Sequence, residues 1–279
     1  MKRKEPIYFC NGRFLPAGRA TLSVNDLGVI RGFGLFESLR TYNGKPFLLE
    51  AHLDRMFHAA KEVGLKPPLG RKRIGSVIAR LIRRNNFGEA LIRMVLTGGV
   101  AGSLVPQGKP TFIILADPFH SFPSWQYEKG IRLMTAPFSR LRPSMKSTIY
   151  FSAVVETVRA VKRGFHEAVY VDGRGAILEG TTYSVFAVMP GPKLVTAREG
   201  VLPGVTAELV ISLAKKMRIP VIHSPISRAM LKRAREVFIT SSNRELIPVS
   251  HVDRLRIGKP GPVTRQLQEA YQRETRNCS

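Results

Sequence analysis

An α+β fold in two domains is what this 279-residue sequence predicts. Strand-like and helix-like segments come in blocks rather than in regular βαβ units, which disfavours a doubly wound parallel sheet. Two Asn-Gly dipeptides, Asn11-Gly12 and Asn43-Gly44, stand between apolar runs and mark antiparallel hairpins. The stretch Asp117-Pro-Phe-His-Ser-Phe-Pro-Ser124 holds two prolines and no periodicity, so it reads as a linker. Residues 1–116 are then expected to form a smaller N-terminal α+β domain, 117–127 the linker and 128–279 a larger C-terminal domain.

The elements follow in order. Ile7 to Leu22 reads as a first hairpin and Leu35 to Leu49 as a second strand-turn-strand. From Glu50 to Val63 the period changes, with Leu53, Met56, Phe57, Ala60 and Val63 at helical spacing. Ile74, Val77, Ile78, Leu81 and Ile82 repeat that pattern, and strands resume at Leu91 to Leu96 and Thr111 to Leu115. Beyond the linker, the pattern predicts a strand near Ile131 to Thr135 and a helix from about Ser152 to Arg163. Strands follow at Ala168 to Asp172, Ala176 to Glu179 and Ser184 to Met189, the first two joined by the turn Asp172-Gly-Arg-Gly175. Val205-Thr206 opens a helix to about Met217, a shorter one runs from Ser227 to Ala234, and Glu236 to Ile239 is a strand.

Composition excludes several classes. Hydrophobic residues at 44% and charged residues at 23% are ordinary globular values, so disorder does not dominate. Cys10 and Cys278 form neither a disulfide framework nor a metal spacing, which fits a reducing, cytoplasmic setting and no metal. The opening Met1-Lys2-Arg3-Lys4 resembles the start of a signal peptide, but Glu5 and Pro6 follow and no apolar stretch comes after them. No apolar run approaches the roughly 18 residues of a membrane span, so a soluble protein is expected. The net charge of +24 attracts nucleic acid, anionic surfaces and small anions alike, and does not choose among them. Its dense patches, Arg71 to Arg84, Arg228 to Arg235 and Arg254 to Arg273, carry no RNA-binding aromatic motif or zinc-finger spacing, so a solvated basic surface is expected rather than a nucleic-acid partner.

No phosphate-binding P-loop, nucleophile elbow or paired-histidine metal motif occurs. Gly32-Phe-Gly34 starts like a dinucleotide fingerprint, but Glu37 stands where its third glycine belongs. What remains suits an anion. Leu202-Pro-Gly-Val-Thr206 brings a glycine up to a helix start, where free amides and the helix dipole favour a phosphate. Thr240-Ser-Ser-Asn243 offers clustered hydroxyls and turn amides after a strand, although either segment alone could be only a cap or a turn. Glu179 ends the apolar run Ala176-Ile-Leu-Glu-Gly180, where a carboxylate is either exposed at a rim or paired with a cation. Among 44 basic residues no single lysine is distinguished by composition.

These residues resemble a known family. Asn25-Asp-Leu-Gly28, Arg31-Gly-Phe-Gly-Leu-Phe-Glu-Ser-Leu-Arg40 and Glu50-Ala-His-Leu-Asp-Arg55 are similar to the N-terminal half of class IV aminotransferases. Ser144-Met-Lys-Ser-Thr148, Glu167 to Asp172, Leu178-Glu-Gly180, Leu202 to Thr206 and Glu236 to Val249 follow in that family's order and spacing. The resemblance implies the two-domain architecture of D-amino-acid aminotransferases (fold type IV), pyridoxal 5'-phosphate as cofactor, and a homodimer that completes each site with loops from its neighbour.

By the same resemblance, Lys146 is the catalytic lysine, holding the cofactor as a Schiff base and shuttling the proton. Glu179 is the acidic partner of the pyridine nitrogen, which it keeps protonated so that the ring acts as an electron sink. Arg55, Val205, Thr206, Ser241 and Ser242 are implied to bind the phosphate. Substrate residues are expected at Arg31, Phe33, Thr97 and Gly98, with Arg31 a candidate for carboxylate recognition. The sequence departs from the family at Ser184, where asparagine is common, at Gly98, where D-amino-acid members place an arginine, at Ala207 and at Ile149. The implied reaction moves an amino group from a branched-chain or D-amino acid to a 2-oxo acid. Two alternatives stand beside it: 4-amino-4-deoxychorismate lyase, and a basic nucleic-acid-binding protein on an inactive scaffold.

Overall fold

The structure is a computed structural model that describes residues 5–278; the signal-like opening Met1 to Lys4 lies outside the described residues. The chain divides into two compact units. One comprises Met1–His120 with Met145–Ile149 and Thr275–Ser279, the other Ser121–Ser144 with Tyr150–Glu274.

The first unit begins with β1 (Ile7–Cys10) and β2 (Arg13–Pro16), antiparallel across Asn11 and Gly12, whose φ values of 45° and 91° are those an Asn-Gly turn supplies. A short helix α1 (Leu27–Ile30) is capped by Asp26, whose side chain accepts from the Gly28 amide. Then come β3 (Gly34–Tyr42), β4 (Lys45–Pro46), helices α2 (Leu49–Glu62) and α3 (Arg71–Asn85), and strands β5 (Ala90–Thr97) and β6 (Thr111–Pro118). The strands form one sheet in the order β2-β1-β6-β5-β3-β4. The apolar stripes read from the sequence are the buried faces: Leu53, Met56 and Ala60 of α2 and Ile74, Ile78 and Leu81 of α3 pack with Leu39, Ile92, Met94, Phe112 and Ile114 of the sheet.

The second unit starts with α4 (Ser124–Lys129) and β7 (Ile131–Pro137), followed by α5 (Phe151–Lys162), β8 (Glu167–Val171), β9 (Ile177–Gly180), β10 (Ser184–Met189) and β11 (Lys193–Thr196). It continues with α6 (Val205–Lys216), β12 (Val221–His223), α7 (Arg228–Arg233), β13 (Glu236–Ser241), β14 (Glu245–Val252), β15 (Leu255–Arg256) and, up to Glu274, α8 (Pro262–Arg276). The sheet runs β12-β11-β10-β13-β14-β7-β8-β9, and a β9–β10 pairing closes six of these strands into a ring. Ile131, Leu133, Val169, Val185, Val237, Ile239 and Ile247 supply its core. The mixture of α and β elements is that of an α+β fold, as the sequence predicts.

Several elements have no clear sequence signal. Strands β11 and β12 span only four and three residues, too few to display a period. Helix α8 hides its stripe of Val263, Leu267, Ala270 and Tyr271 in a run that reads first as a basic patch. Helix α4 begins at Ser124, inside the stretch read as linker, and Met145–Ile149 belongs to the first unit although both its neighbours in sequence belong to the second. Among the described residues, no helix is long and apolar enough to cross a membrane, and no group of three or more His, Cys, Asp or Glu could hold a metal ion.

Candidate active site

In the first unit, the site residues are set by β3 and α2. Along β3, Leu35, Glu37, Leu39 and Thr41 point to the buried side with a period of two. Glu37 is thus an acid where the pattern calls for an apolar residue, and it is 1% exposed. A lone carboxylate there would cost several kcal/mol. It is not alone: Arg55 Nε donates to Oε1 and Nη2 to Oε2, each at 2.7 Å, while His52 Nδ1 lies 2.7 Å from Oε2. His52 and Arg55 are three residues apart on α2, so one helix face presents both to the strand.

Burial alone would raise the Glu37 pKa, but the Arg55 and His52 hydrogen bonds and the charges behind them outweigh it and hold the carboxyl at about 2, against an ordinary 4.5. Burial lowers the pKa of His52, and although Glu37 raises it, the neighbouring Arg55 and Lys146 charges lower it further; the imidazole is neutral at pH 7. Sequence reasoning singles out neither Glu37 nor His52. The one available signal is the acid at an inward position of a strand.

Lys146 is carried on a segment stitched to the same strand. The Phe36 amide donates to the Lys146 carbonyl at 2.9 Å, the Thr148 amide to the Gly34 carbonyl at 2.9 Å, and Thr148 Oγ1 to the Gly32 carbonyl at 2.7 Å. Met145, 5% exposed, anchors the segment in the apolar core. With its backbone fixed on both sides, Lys146 lays its ammonium 4.6 Å from the centre of the Phe36 ring, a cation–π contact.

Phe33, Thr97 and Gly98 lie together at the ends of β3 and β5: Thr97 pairs with Gly34, and the Gly98 amide donates to the Phe33 carbonyl at 3.2 Å. A Cβ on Gly98 would stand 2.8 Å from the Phe33 ring and 2.9 Å from a Leu27 methyl carbon. The absence of a side chain at 98 is therefore built into this packing. Arg31 is exposed, with Nη1 donating to the neighbouring Ile30 carbonyl at 3.0 Å.

In the second unit, Glu179 ends β9 and is 4% exposed. Of the two readings open in the sequence, rim or ion pair, the pair holds: Arg140 Nε donates to Glu179 Oε1 at 2.7 Å. Arg140 Nη2 also donates to the carbonyls of Gly180 and Thr181, and the Leu202 amide donates to Glu179 Oε2 at 3.3 Å. Burial works against the Arg140 charge, but Glu179 leads the groups that offset it and the pKa is raised. Sequence reasoning misses Arg140, for it has no motif and is one of 44 basic residues.

The anion features also come together. Helix α6 opens at Val205 and Thr206 with Gly204 as an N-cap that provides no side-chain bond to the first-turn amides. A Cβ on Gly204 would sit 2.8 Å from Ser184 Oγ, so a side chain there would make that hydroxyl turn away from the helix start. Thr206 Oγ1 faces Ser242 Oγ at 3.4 Å, joining the helix start to the loop after β13, and Ser241 Oγ donates to Asn243 Oδ1 at 2.8 Å. A cavity of about 300 Å³ opens beside the turn, lined by Ser184, Arg198, Leu202, Gly204, Glu208 and His223 among others.

Within the second unit, amides at a helix start, facing hydroxyls and a nearby buried carboxylate suit a ligand that carries a phosphate. The amino-transferase class IV family model matches residues 34–252, and the chain belongs to that family. It is 35% identical over 274 residues to the "Putative branched-chain-amino-acid aminotransferase" of Methanocaldococcus jannaschii, covering 94% of each chain. It is 30% identical over 271 residues to the D-alanine aminotransferase of Staphylococcus haemolyticus, covering 94% of this chain and 95% of that one. The solved branched-chain amino acid aminotransferase of T.th. with pyridoxamine 5'-phosphate superposes with a TM-score of 0.91 at 26% identity, covering 100% of this chain and 96% of that one. The protein is an aminotransferase, and its cofactor is pyridoxal 5'-phosphate.

Proposed function

We propose that this aminotransferase moves the amino group of a branched-chain or D-amino acid to a 2-oxo acid, 2-oxoglutarate or pyruvate, with Lys146 as its catalytic lysine. The observation that carries the assignment is the fixing of Lys146: its segment is hydrogen-bonded into β3 and its ammonium rests on Phe36. A side chain so held can take a proton from the substrate α-carbon and return it at a defined point. The cofactor, when bound, supplies an electron sink for the charge left on that carbon. Glu179, oriented by Arg140, would keep the cofactor's pyridine nitrogen protonated. Amides of Val205 and Thr206 and the hydroxyls of Thr206, Ser241 and Ser242 would hold its phosphate, and phosphate recognition is also the role proposed for the Arg55 guanidinium. Phe33, Thr97 and Gly98 shape the substrate pocket, and Arg31 takes the substrate carboxylate. The names of the relatives support both substrate classes.

The working form is a cytoplasmic homodimer. Helix α5 supports this: Phe151, Val154, Val155, Val158 and Val161 are 45 to 79% exposed, a run of large apolar side chains that a second copy would cover.

A panel of L- and D-amino acids against 2-oxoglutarate and pyruvate tests the reading. Amino transfer from Leu, Ile, Val or their D-counterparts is the expected result. Release of pyruvate from aminodeoxychorismate with no 2-oxo acid present, and no transfer in the panel, would replace it with the lyase reading.

A further inference from the structure

We infer that Glu37 is a positioning residue for cofactor phosphate recognition, acting through Arg55. The inference rests on the proposed role of Arg55 and adds to it the group that aims the guanidinium.

An arginine side chain has four rotatable bonds, and holding it in one geometry normally costs binding free energy. Here that ordering is made within the fold. Glu37 engages the Nε and Nη2 edge of Arg55 through two 2.7 Å hydrogen bonds, the planar fork-to-fork arrangement that fixes a guanidinium in rotation as well as in place. The carboxylate is itself locked, because it stands on β3 where that strand pairs with β5 at Met94, is 1% exposed, and has His52 on its second oxygen. A residue needed only for packing at this inward position would be apolar like Leu35 and Leu39 on either side of it. A buried acid that commits both oxygens to one arginine and one neutral imidazole is instead an orienting device, and it sets the plane and direction in which the Arg55 guanidinium can act.

The test compares two ligands that differ only in phosphate. Full-length wild type, Glu37→Gln, Arg55→Ala and the double variant are dialysed to equilibrium against pyridoxal 5'-phosphate and, separately, against pyridoxal. Loss of one aimed charge-assisted contact predicts that Glu37→Gln binds pyridoxal phosphate about tenfold more weakly or worse. Pyridoxal affinity is expected to stay within about twofold, since a contact to phosphate is absent from that complex. The double variant is expected to be no weaker than Arg55→Ala alone, because both changes remove the same contact. If both ligands weaken equally, if the two changes add, or if Glu37→Gln binds pyridoxal phosphate as well as or better than wild type, the inference is wrong. Should Glu37→Gln fail to fold, Glu37→Asp, which keeps the charge and shortens its reach, must show the same selective loss. A wild type that takes up neither ligand would overturn the role of Arg55 itself, which keeps the two failures apart.

Discussion

Arg140 and Glu179 form an ion pair at 2.7 Å with 11% and 5% of their side chains exposed. Both charges are out of water, so each depends on the other. Arg140 also reaches the carbonyls of Gly180 and Thr181, so it ties the end of β9 to the turn that follows while fixing the carboxylate.

Arg140→Met leaves Glu179 buried and uncompensated, and is expected to lower the unfolding free energy by about 3 to 5 kcal/mol. Adding Glu179→Gln removes the stranded charge and should restore part of that loss. Urea unfolding of the two variants checks this. A single variant within about 1 kcal/mol of wild type would mean that Glu179 does not need its partner.

The Glu37 cluster has an acid signature. Its carboxyl titrates at about 2 in the fold against an ordinary 4.5, so the stabilisation it gives is complete above pH about 4.5 and is lost as pH falls through about 2. A shift of that size corresponds to about 3 kcal/mol. Burial lowers His52 from its ordinary 6.5, so its protonation destabilises the fold as pH falls below that value. The comparison is therefore best made in a His52→Asn background, where no imidazole titrates at this place. There, the stability lost in Glu37→Gln, measured by urea unfolding, should shrink between pH 4.5 and 2. A constant loss across that range would contradict the assigned ionisation.

Gly98 and Gly99 differ in what they tolerate. Gly99 has φ of +73° and a Cβ there would lie 2.2 Å from the Lys109 carbonyl oxygen, so Gly99→Ala should cost about 2 kcal/mol or more whatever surrounds it. At Gly98 the obstacle is the Phe33 ring and a Leu27 methyl, which are side chains. The cost of Gly98→Ala should then fall in a Phe33→Ala background, giving a coupling on the order of 1 kcal/mol in urea unfolding. Additive effects would place Phe33 elsewhere.

Sequence and structure agree where the signal is local and periodic. The Asn-Gly hairpin of β1 and β2, the stripes of α2 and α3 and the turn before α6 are all readable, since each is decided by residues close in the chain. Glu179 can be read only as rim or pair, because its partner lies 39 residues away and is one of 44 basic side chains. Glu37 escapes notice for a similar reason: its meaning comes from His52 and Arg55, 15 and 18 residues on, which the strand meets only after folding. The identity of Lys146 comes from resemblance, as nothing in its own surroundings marks it out before the segment pairs with β3.

The exposed side of α5 predicts assembly. Wild type should sediment at twice the 31.1 kDa chain mass, and Val154→Glu with Val158→Glu should shift it toward the single-chain mass by burying two carboxylates in the interface. An unchanged mass in the variant would remove α5 from the contact.

The most direct test of the central assignment is borohydride reduction of the protein loaded with pyridoxal phosphate, followed by peptide mapping. The expected result is one cofactor-derived label, on Lys146, absent from Lys146→Ala together with turnover. A label on another lysine, or none, would contradict it.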